Sequence, residues 1–356
     1  MFVWGTLPFS SSLKPSEVEF PGKSIDDYII SIVAGENHAA ALNAQGKLFT
    51  WGYNSAGQLG NNTTNSTEPM NITPNFALDA DDRIIEVISN TSTMMALTAN
   101  GLVFTWGSYS NGLLGDDSTE NRLMPQSIND QFDFFPEEKV THLYAGDGLS
   151  MMTTSHNRIF ILGLEPILHV WSNPVTNYST PTDITGLFEF DDDEVVTNIS
   201  LGSSLIAVIT SAANVYTYGV NTFNVLQDPT IDERRIPIES SAMFNLEAGE
   251  AILDFAFGNY SGICVTTHGR LFTWGSNYYG ELGIGSTQNS TTVNHLSIAR
   301  MTHVETKDYP FNEFITLDEP SREDYTFDGW YLFSNQTSPI NDLTIPDCDM
   351  VVIGMW

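Results

Sequence analysis

Residues 46–60 read GKLFTWGYNSAGQLG, and the chain returns to this pattern several times. GLVFTWGSYSNGLLG occupies 101–115 and GRLFTWGSNYYGELG occupies 269–283. Between them lie two decayed copies, NRIFILG ending at Gly163 and NVYTYGV carrying Gly219. The Gly after the central aromatic therefore falls at 52, 107, 163, 219 and 275, at intervals of 55, 56, 56 and 56 residues. A fixed period of this kind is the signature of a repeat architecture, and it decides how every other segment is read.

Working outward, each copy sits in a larger unit. In the first, YIISIVAG (Tyr28 to Gly35) and HAAALN (His38 to Asn43) precede the KLFTWG run, and NNTTNSTEP leads as a loop to a fourth strand around Met70 to Thr73. These runs are rich in β-branched and aromatic residues and bounded by Gly, Asn or Asp, and no window sustains a 3.6-residue period. The units span 24–78, 79–134, 135–190, 191–246 and 247–292. A four-stranded antiparallel sheet with two apolar faces buries both only by stacking on its neighbours, which gives a propeller or a solenoid, with the propeller favoured. Gly35, Gly146, Gly202 and Gly258, with Asn90 in the second unit, end the first strands and read as positions of left-handed or close-approach backbone.

Residues 2–21 hold an orphan half unit, since FVWG at Phe2 to Gly5 matches FTWG and nothing precedes it. The expected fold is all-β, a β-propeller with about five to six blades visible, incomplete or small. Because propellers avoid open edges by closing the ring, the half unit leads us to expect that Met1 is not the native start. A further unit and a signal segment are expected upstream, with the visible part forming an incomplete ring or a strained small closure.

The chain has 356 residues, 41% of them hydrophobic, with 13 Lys plus Arg against 44 Asp plus Glu for a formal charge of −31. That field opposes polyphosphate and anionic membranes, so nucleic acid is excluded as a partner. No run of 18 apolar residues is present, so membrane insertion is not expected. The start, FVWGTLPFSS, lacks a secretory signal pattern. Cys264 and Cys348 offer neither a disulfide framework nor metal-ligand spacing.

AGENHAAALNAQGKLFTWGYNSAGQLG resembles a repeat of the regulator of chromosome condensation family. The resemblance covers residues 2 to about 292, and is weaker in units three and four, where Leu162 and Tyr218 replace the Trp and the GxLG turn is lost. It implies a propeller, usually of seven blades, that works as a rigid docking surface. Members include an exchange factor for a nuclear small GTPase, ubiquitin-ligase domains and secreted bacterial inhibitors of β-lactamase. Residues 293–356 form a separate expected domain. From about 303 it resembles part of a Listeria–Bacteroides, internalin B-type repeat, through Tyr325 to Tyr331, Ile345 to Asp349 and Trp356. That resemblance implies a small β-rich, grasp-like module of bacterial surface proteins, and hence an extracellular or cell-envelope location in a bacterium.

The acids two before each first-strand Ile or Val are Asp27, Asp82, Glu138, Glu194 and Glu250. On one rim of a propeller they would form an anionic surface for a basic partner, or weak Ca²⁺ sites assisted by Asp26, Asp81 and Asp193, against a plain reading as turn caps. Asp191, Asp192, Asp193 and Glu194 are the densest metal candidate, although they lack the spaced ligands of a Ca²⁺ loop. A true Ca²⁺ site would raise the melting temperature with millimolar Ca²⁺. No other cofactor is expected. No GxSxG, HExxH, GxxxxGK[ST] or paired CxxC occurs and the seven His are scattered, so no catalytic residue is assigned and a non-enzymatic role is expected. Trp51, Trp106 and Trp274 read as blade core. Tyr53, Asn54, Tyr109, Tyr278 and Tyr279, between WG and GxLG, are the candidates for contacting a protein partner. The sequons, including Asn65, Asn71, Asn198 and Asn335, are read as chance products of an Asn- and Thr-rich chain. The expected role is a protein-binding module, with guanine-nucleotide exchange and secreted enzyme inhibition as alternatives.

Overall fold

Each FTWG copy is the third strand of a four-stranded antiparallel sheet, as a computed structural model of the chain shows. The structure describes residues 28–63, 66–164, 177–203 and 205–296, with shorter stretches at 2–6, 11–17, 20–21, 314–315, 329–332, 335–340, 343–344 and 352–355. The chain divides into two compact units, 1–298 and 299–356.

The first unit is all-β. A hairpin of β1 (Phe2–Thr6) and β2 (Ser11–Glu17) comes first and pairs with no other strand among the described residues. Blade one follows as β3 (Ile29–Ala34), β4 (His38–Asn43), β5 (Leu48–Gly52) and β6 (Ser66–Asn71). Blade two is β7 (Ile84–Ser89), β8 (Thr93–Thr98), β9 (Val103–Gly107) and β10 (Arg122–Ser127). Blade three is β11 (Val140–Ala145), β12 (Leu149–Thr154), β13 (Ile159–Leu164) and β14 (Asn177–Asp183). Blade four is β15 (Val196–Leu201), β16 (Leu205–Thr210), β17 (Val215–Val220) and β18 (Glu233–Glu239). Blade five is β19 (Ile252–Phe257), β20 (Ser261–Thr266), β21 (Leu271–Gly275) and β22 (Ser290–Leu296). Two boundaries differ from the sequence reading. β6 begins at Ser66, inside the stretch read as loop, and β22 runs four residues past 292. Polar, Pro-bearing outer strands lack the apolar alternation that marks a strand. Pro69, Pro125, Pro181 and Pro237 recur in these fourth strands, at the sheet edge where no ladder N–H is needed.

The FTWG motif can be read atom by atom. Its Phe enters the core, as Phe49, Phe104 and Phe272 do. Its Thr ties the strand to the following turn, with Thr50, Thr105 and Thr273 Oγ1 donating to the carbonyls of Leu59, Leu114 and Leu282 at 2.7–2.8 Å. Its Trp reaches back to the preceding unit's turn, Trp106 Nε1 donating to Gln58 O at 3.0 Å and Trp274 Nε1 to Val225 O at 2.9 Å. Its Gly has φ between 96° and 110° at 52, 107 and 275, and at 107 a Cβ would lie 2.4 Å from the Ser92 carbonyl oxygen. A side chain there meets both backbone strain and collision.

A second periodicity, not singled out in the sequence, glues the blades together. Phe20, Phe76, Phe132, Phe188 and Phe244 recur every 56 residues, four of them in or beside the short 3₁₀ turn after a fourth strand. Each packs its ring on the third-strand aromatics of the next blade, with centroids 5.1 Å apart for Phe20–Phe49, Phe76–Phe104 and Phe132–Phe160, and 5.5 Å for Phe244–Trp274. The hairpin β1–β2 thus stands to blade one as strands three and four of each blade stand to the next.

The first strands are innermost, and all five line a central cavity of about 530 Å³. Of the two readings of Gly35, Gly146, Gly202 and Gly258, close approach holds and a left-handed φ does not. They are small for room: a Cβ on Gly146 would lie 2.8 Å from Leu201 Cβ of the next inner strand, and one on Gly202 2.7 Å from Phe257 Cβ.

In the second unit β24 (Gly329–Leu332) pairs with β25 (Asn335–Ile340) and β27 (Val352–Met355), and β23 (Phe314–Ile315) pairs with β26 (Leu343–Thr344), all antiparallel. Tyr325 to Asp328, Ile345 to Asp349 and Trp356, which carry most of that unit's resemblance, lie outside the described residues.

Candidate functional site

Antiparallel blades place the turns joining strands one to two and three to four on one rim. The turns joining two to three, and the connections between blades, lie on the other. The acidic series belongs to the second rim, and from blade three to blade five it follows the turn-cap reading and not that of an anionic surface. Asp27 lies outside the described residues, while Glu138, Glu194 and Glu250 are buried. Their apolar surroundings are tolerable because every carboxylate is saturated with donors.

Glu138 accepts from Phe135 N at 2.9 Å, Thr154 Oγ1 at 2.5 Å and Arg158 Nη1 at 2.9 Å. Glu194 accepts from Asp191 N at 3.1 Å, Asn214 Nδ2 at 3.0 Å, Tyr216 OH at 3.2 Å and Thr210 Oγ1. Glu250 accepts from Glu247 N at 2.8 Å, Arg270 Nε at 2.8 Å, Arg270 Nη2 and Thr266 Oγ1. Each acid thus closes its own turn, ties the end of strand two and holds the start of strand three. The shorter Asp82 reaches only backbone, accepting from Arg83 N at 2.9 Å and Asn100 N at 3.1 Å. The sequence carried the signal: Thr98, Thr154, Thr210 and Thr266 share the 56-residue period, sixteen residues after each acid.

The metal candidates do not converge. Asp191, Asp192 and Asp193 are exposed, whereas Glu194 points inward to its donors. Among the described residues Glu247, Glu250 and His268 bring one ligand atom each within 4.8 Å of one another, but there a cation would have to displace the Arg270 guanidinium from Glu250.

Of the partner-contact candidates, Asn54 is buried and serves its own turn, accepting from Leu59 N at 2.8 Å and donating to Thr63 O at 2.5 Å. Asn221 and Asn277 do the same for Leu226 and Leu282, so this Asn is part of the fold and not of an interface. Tyr53 and Tyr109 are exposed on the turns of blades one and two. Tyr278 is 61% and Tyr279 96% exposed, and they stand with two aromatics that sequence reasoning missed. Phe223 packs edge-on against Tyr278 at 5.5 Å and Tyr260 at 5.6 Å. Phe223 comes from the strand three to four turn of blade four, Tyr260 from the one to two turn of blade five, and Tyr278 and Tyr279 from its three to four turn, so the group spans two blades.

The Regulator of chromosome condensation (RCC1) repeat is matched at 45–88, 100–153 and 268–306, and a second form of that repeat at 29–58 and 252–281. Blades one, two and five and the first half of blade three thus match the RCC1 repeat. The human E3 ubiquitin-protein ligase HERC2 is 22% identical over 72% of this chain and 5% of its own length. The human Regulator of chromosome condensation is 24% identical over 74% of the chain and 63% of its own length. The chain thus spans less than two thirds of either relative. The crystal structure of human WBSCR16 covers 82% of the chain at TM-score 0.66, with 19% identity and 73% of that protein aligned, a likeness of fold. The unmatched stretch between 153 and 252 holds blade four and the last two strands of blade three, where Leu162 and Tyr218 stand for Trp yet are buried like it.

Two titratable groups of these blades, one buried and one half-buried, give opposite pH responses. His38, in blade one, lies against blade two with Nε2 3.0 Å from Met94 Sδ and 3.1 Å from Ser89 Oγ, and its Nδ1 is buried without a hydrogen bond. Burial lowers its pKa to about 4. Glu86, on an inner strand beside Leu143 N and 3.7 Å from His142 Nδ1, is pushed up to about 7 by burial. A depressed His makes stability present above its unfolded value near 6.5 and lost as pH falls towards 4. A raised Glu makes stability present below about 4.5 and lost as pH rises towards 7. At about 1.4 kcal/mol per unit each amounts to about 3 kcal/mol, so the two offset in the unaltered chain. Urea titrations across pH 4–7 should therefore show Glu86→Gln losing stability as pH falls and His38→Gln losing it as pH rises. Parallel curves for the two variants would contradict the assignment.

Proposed function

We propose that this chain is a non-enzymatic protein-docking module that presents the rim bearing Phe223, Tyr260, Tyr278 and Tyr279. The observation that carries the reading is that aromatic group: Phe223 of blade four braces Tyr260 and Tyr278 of blade five, while Tyr278 and its chain neighbour Tyr279 remain largely in solvent. Exposed aromatics held on a rigid scaffold are a common source of interface hot spots, because little side-chain freedom remains to be lost on binding. On the opposite rim the periodic carboxylates from blade three to blade five are consumed internally, which leaves them unsuited to the same task. Docking through loops of a repeat propeller also agrees with the presence of such repeats in a ubiquitin ligase and in a chromosome-condensation regulator.

A photoreactive benzoylphenylalanine at Tyr279 should crosslink a discrete protein from cells of the source organism, while the same residue at Asp192 on the other rim should not. Crosslinks from 192 alone, or from neither, would remove the reading. A nucleotide-release assay with purified small GTPases separates docking from exchange, and no acceleration is expected. A bacterial surface or extracellular setting is part of the proposal and rests on the resemblance of residues from about 303 onward. Fractionation of the producing cells tests it.

A further inference from the structure

We infer that the rim of blades four and five takes an arginine-rich segment of its partner protein. This deepens the docking reading and rests on it. The chemistry comes from what surrounds the rings. Glu281 shares the turn of Tyr278 and Tyr279, its Oε2 accepting from Tyr279 N at 2.8 Å and its Oε1 from Ser276 Oγ at 3.1 Å. Asp228 sits in the same turn as Phe223 and accepts from Thr230 N at 3.0 Å and Thr230 Oγ1 at 2.5 Å. Donors of this kind favour the ionised form, so both carboxylates are charged at neutral pH.

Cations to answer them are scarce on this rim. Of the arginines on its described loops and strand starts, Arg122 is paired with Asp116, Arg235 with Glu233, and Arg234 is buried against Thr217 and Ser240, from where its charge acts on Asp228, so Glu281 is the carboxylate of the two that no cation of this rim answers. Lys47 and Lys139 lie at turns of the opposite rim. Glu36, Asp147 and Asp232 add further negative charge to the loops of the aromatic rim. A cationic partner segment is therefore drawn to this face, and the tyrosine rings determine which cation suits it. A guanidinium is planar and weakly hydrated, stacks on an aromatic face and still donates sideways to carboxylates, whereas an ammonium holds its water more tightly. Tyr260 is 42% exposed, so with Tyr278 and Tyr279 three rings remain accessible.

The test is fluorescence anisotropy of the full chain with labelled (Arg-Gly-Ser)₄, against versions carrying Lys, citrulline or Glu at the Arg positions, in 150 mM NaCl, a strength at which the Debye length is about 8 Å and diffuse attraction is screened. The Arg peptide should bind best, with Lys weaker by about fivefold or more and citrulline and Glu without measurable binding. Tyr278→Ala/Tyr279→Ala should weaken the Arg peptide about tenfold at unchanged melting temperature, and Tyr279→Ala alone should give part of that loss. Asp191→Asn/Asp192→Asn on the other rim should leave it unchanged. No binding of the Arg peptide, equal affinity for Arg and Lys, or equal losses in the two double variants would overturn the inference. Binding of the Glu peptide lost with the tyrosines would overturn it while leaving the docking rim standing.

Discussion

Replacing Trp274 with Ala should destabilise the repeat unit by about 3–5 kcal/mol, among the largest effects we expect of a single substitution. The indole is fully buried in blade five, and its ring meets Phe244 at 5.5 Å, Phe255 at 6.1 Å and Phe257 at 6.3 Å. Its N–H is the link to the carbonyl of Val225 in blade four, so the substitution both opens a cavity and strands a buried acceptor. Trp274→Phe separates these contributions. It keeps most of the ring volume and loses the hydrogen bond, and a smaller loss of about 1–2 kcal/mol is expected. Urea unfolding followed by tryptophan fluorescence and circular dichroism reads both. A loss below about 1 kcal/mol for the Ala variant would show that the blade four to five junction does not depend on this side chain.

Glu250→Ala should cost about 3–5 kcal/mol at pH 7, in contrast to what its place in an acid-rich series suggests. The carboxylate is fully buried and holds Arg270, Thr266 and the Glu247 N–H together, and its removal leaves a partly buried guanidinium without its counter-charge. Arg270→Ala in the same background gives the control. The double variant should recover about 1–3 kcal/mol relative to additivity, because the two groups act as a pair. Asp192→Ala, exposed on the same rim, should change stability by less than about 0.5 kcal/mol. The Arg270 hydrogen bonds first, then those of Thr266 and the Glu247 backbone, hold the Glu250 pKa down to about 2 against burial. Its contribution is therefore present above about pH 4.5 and lost as pH falls towards 2. An Asp192→Ala cost equal to that of Glu250→Ala would return the series to the role of a surface.

Much of the architecture was legible because period and pattern are local properties. The Gly spacing of 55–56 residues set the number and size of the units, and runs such as HAAALN and KLFTWG declared strands through composition. The blade-core reading of Trp106 and Trp274 followed from one aromatic recurring per sheet, and both are buried. The fourth strands were read less well, since edge position lets Pro and polar residues stand where an inner strand needs apolar ones.

The sequence by itself determined that this chain is a series of equivalent β units, because a repeated pattern obliges each unit to bury the same faces in the same way. Only the tertiary structure decided what each recurring residue faces. One period placed Glu250 inward on Arg270, Asn54 inward on its own turn and Tyr279 outward into solvent, although all three types are counted polar or amphipathic in sequence. Phe223 and Tyr260 are 37 residues apart and meet only because blades four and five stack. The physical reason is that periodicity fixes a residue's place in its sheet, while exposure and partners depend on the neighbouring blade and on how each turn closes.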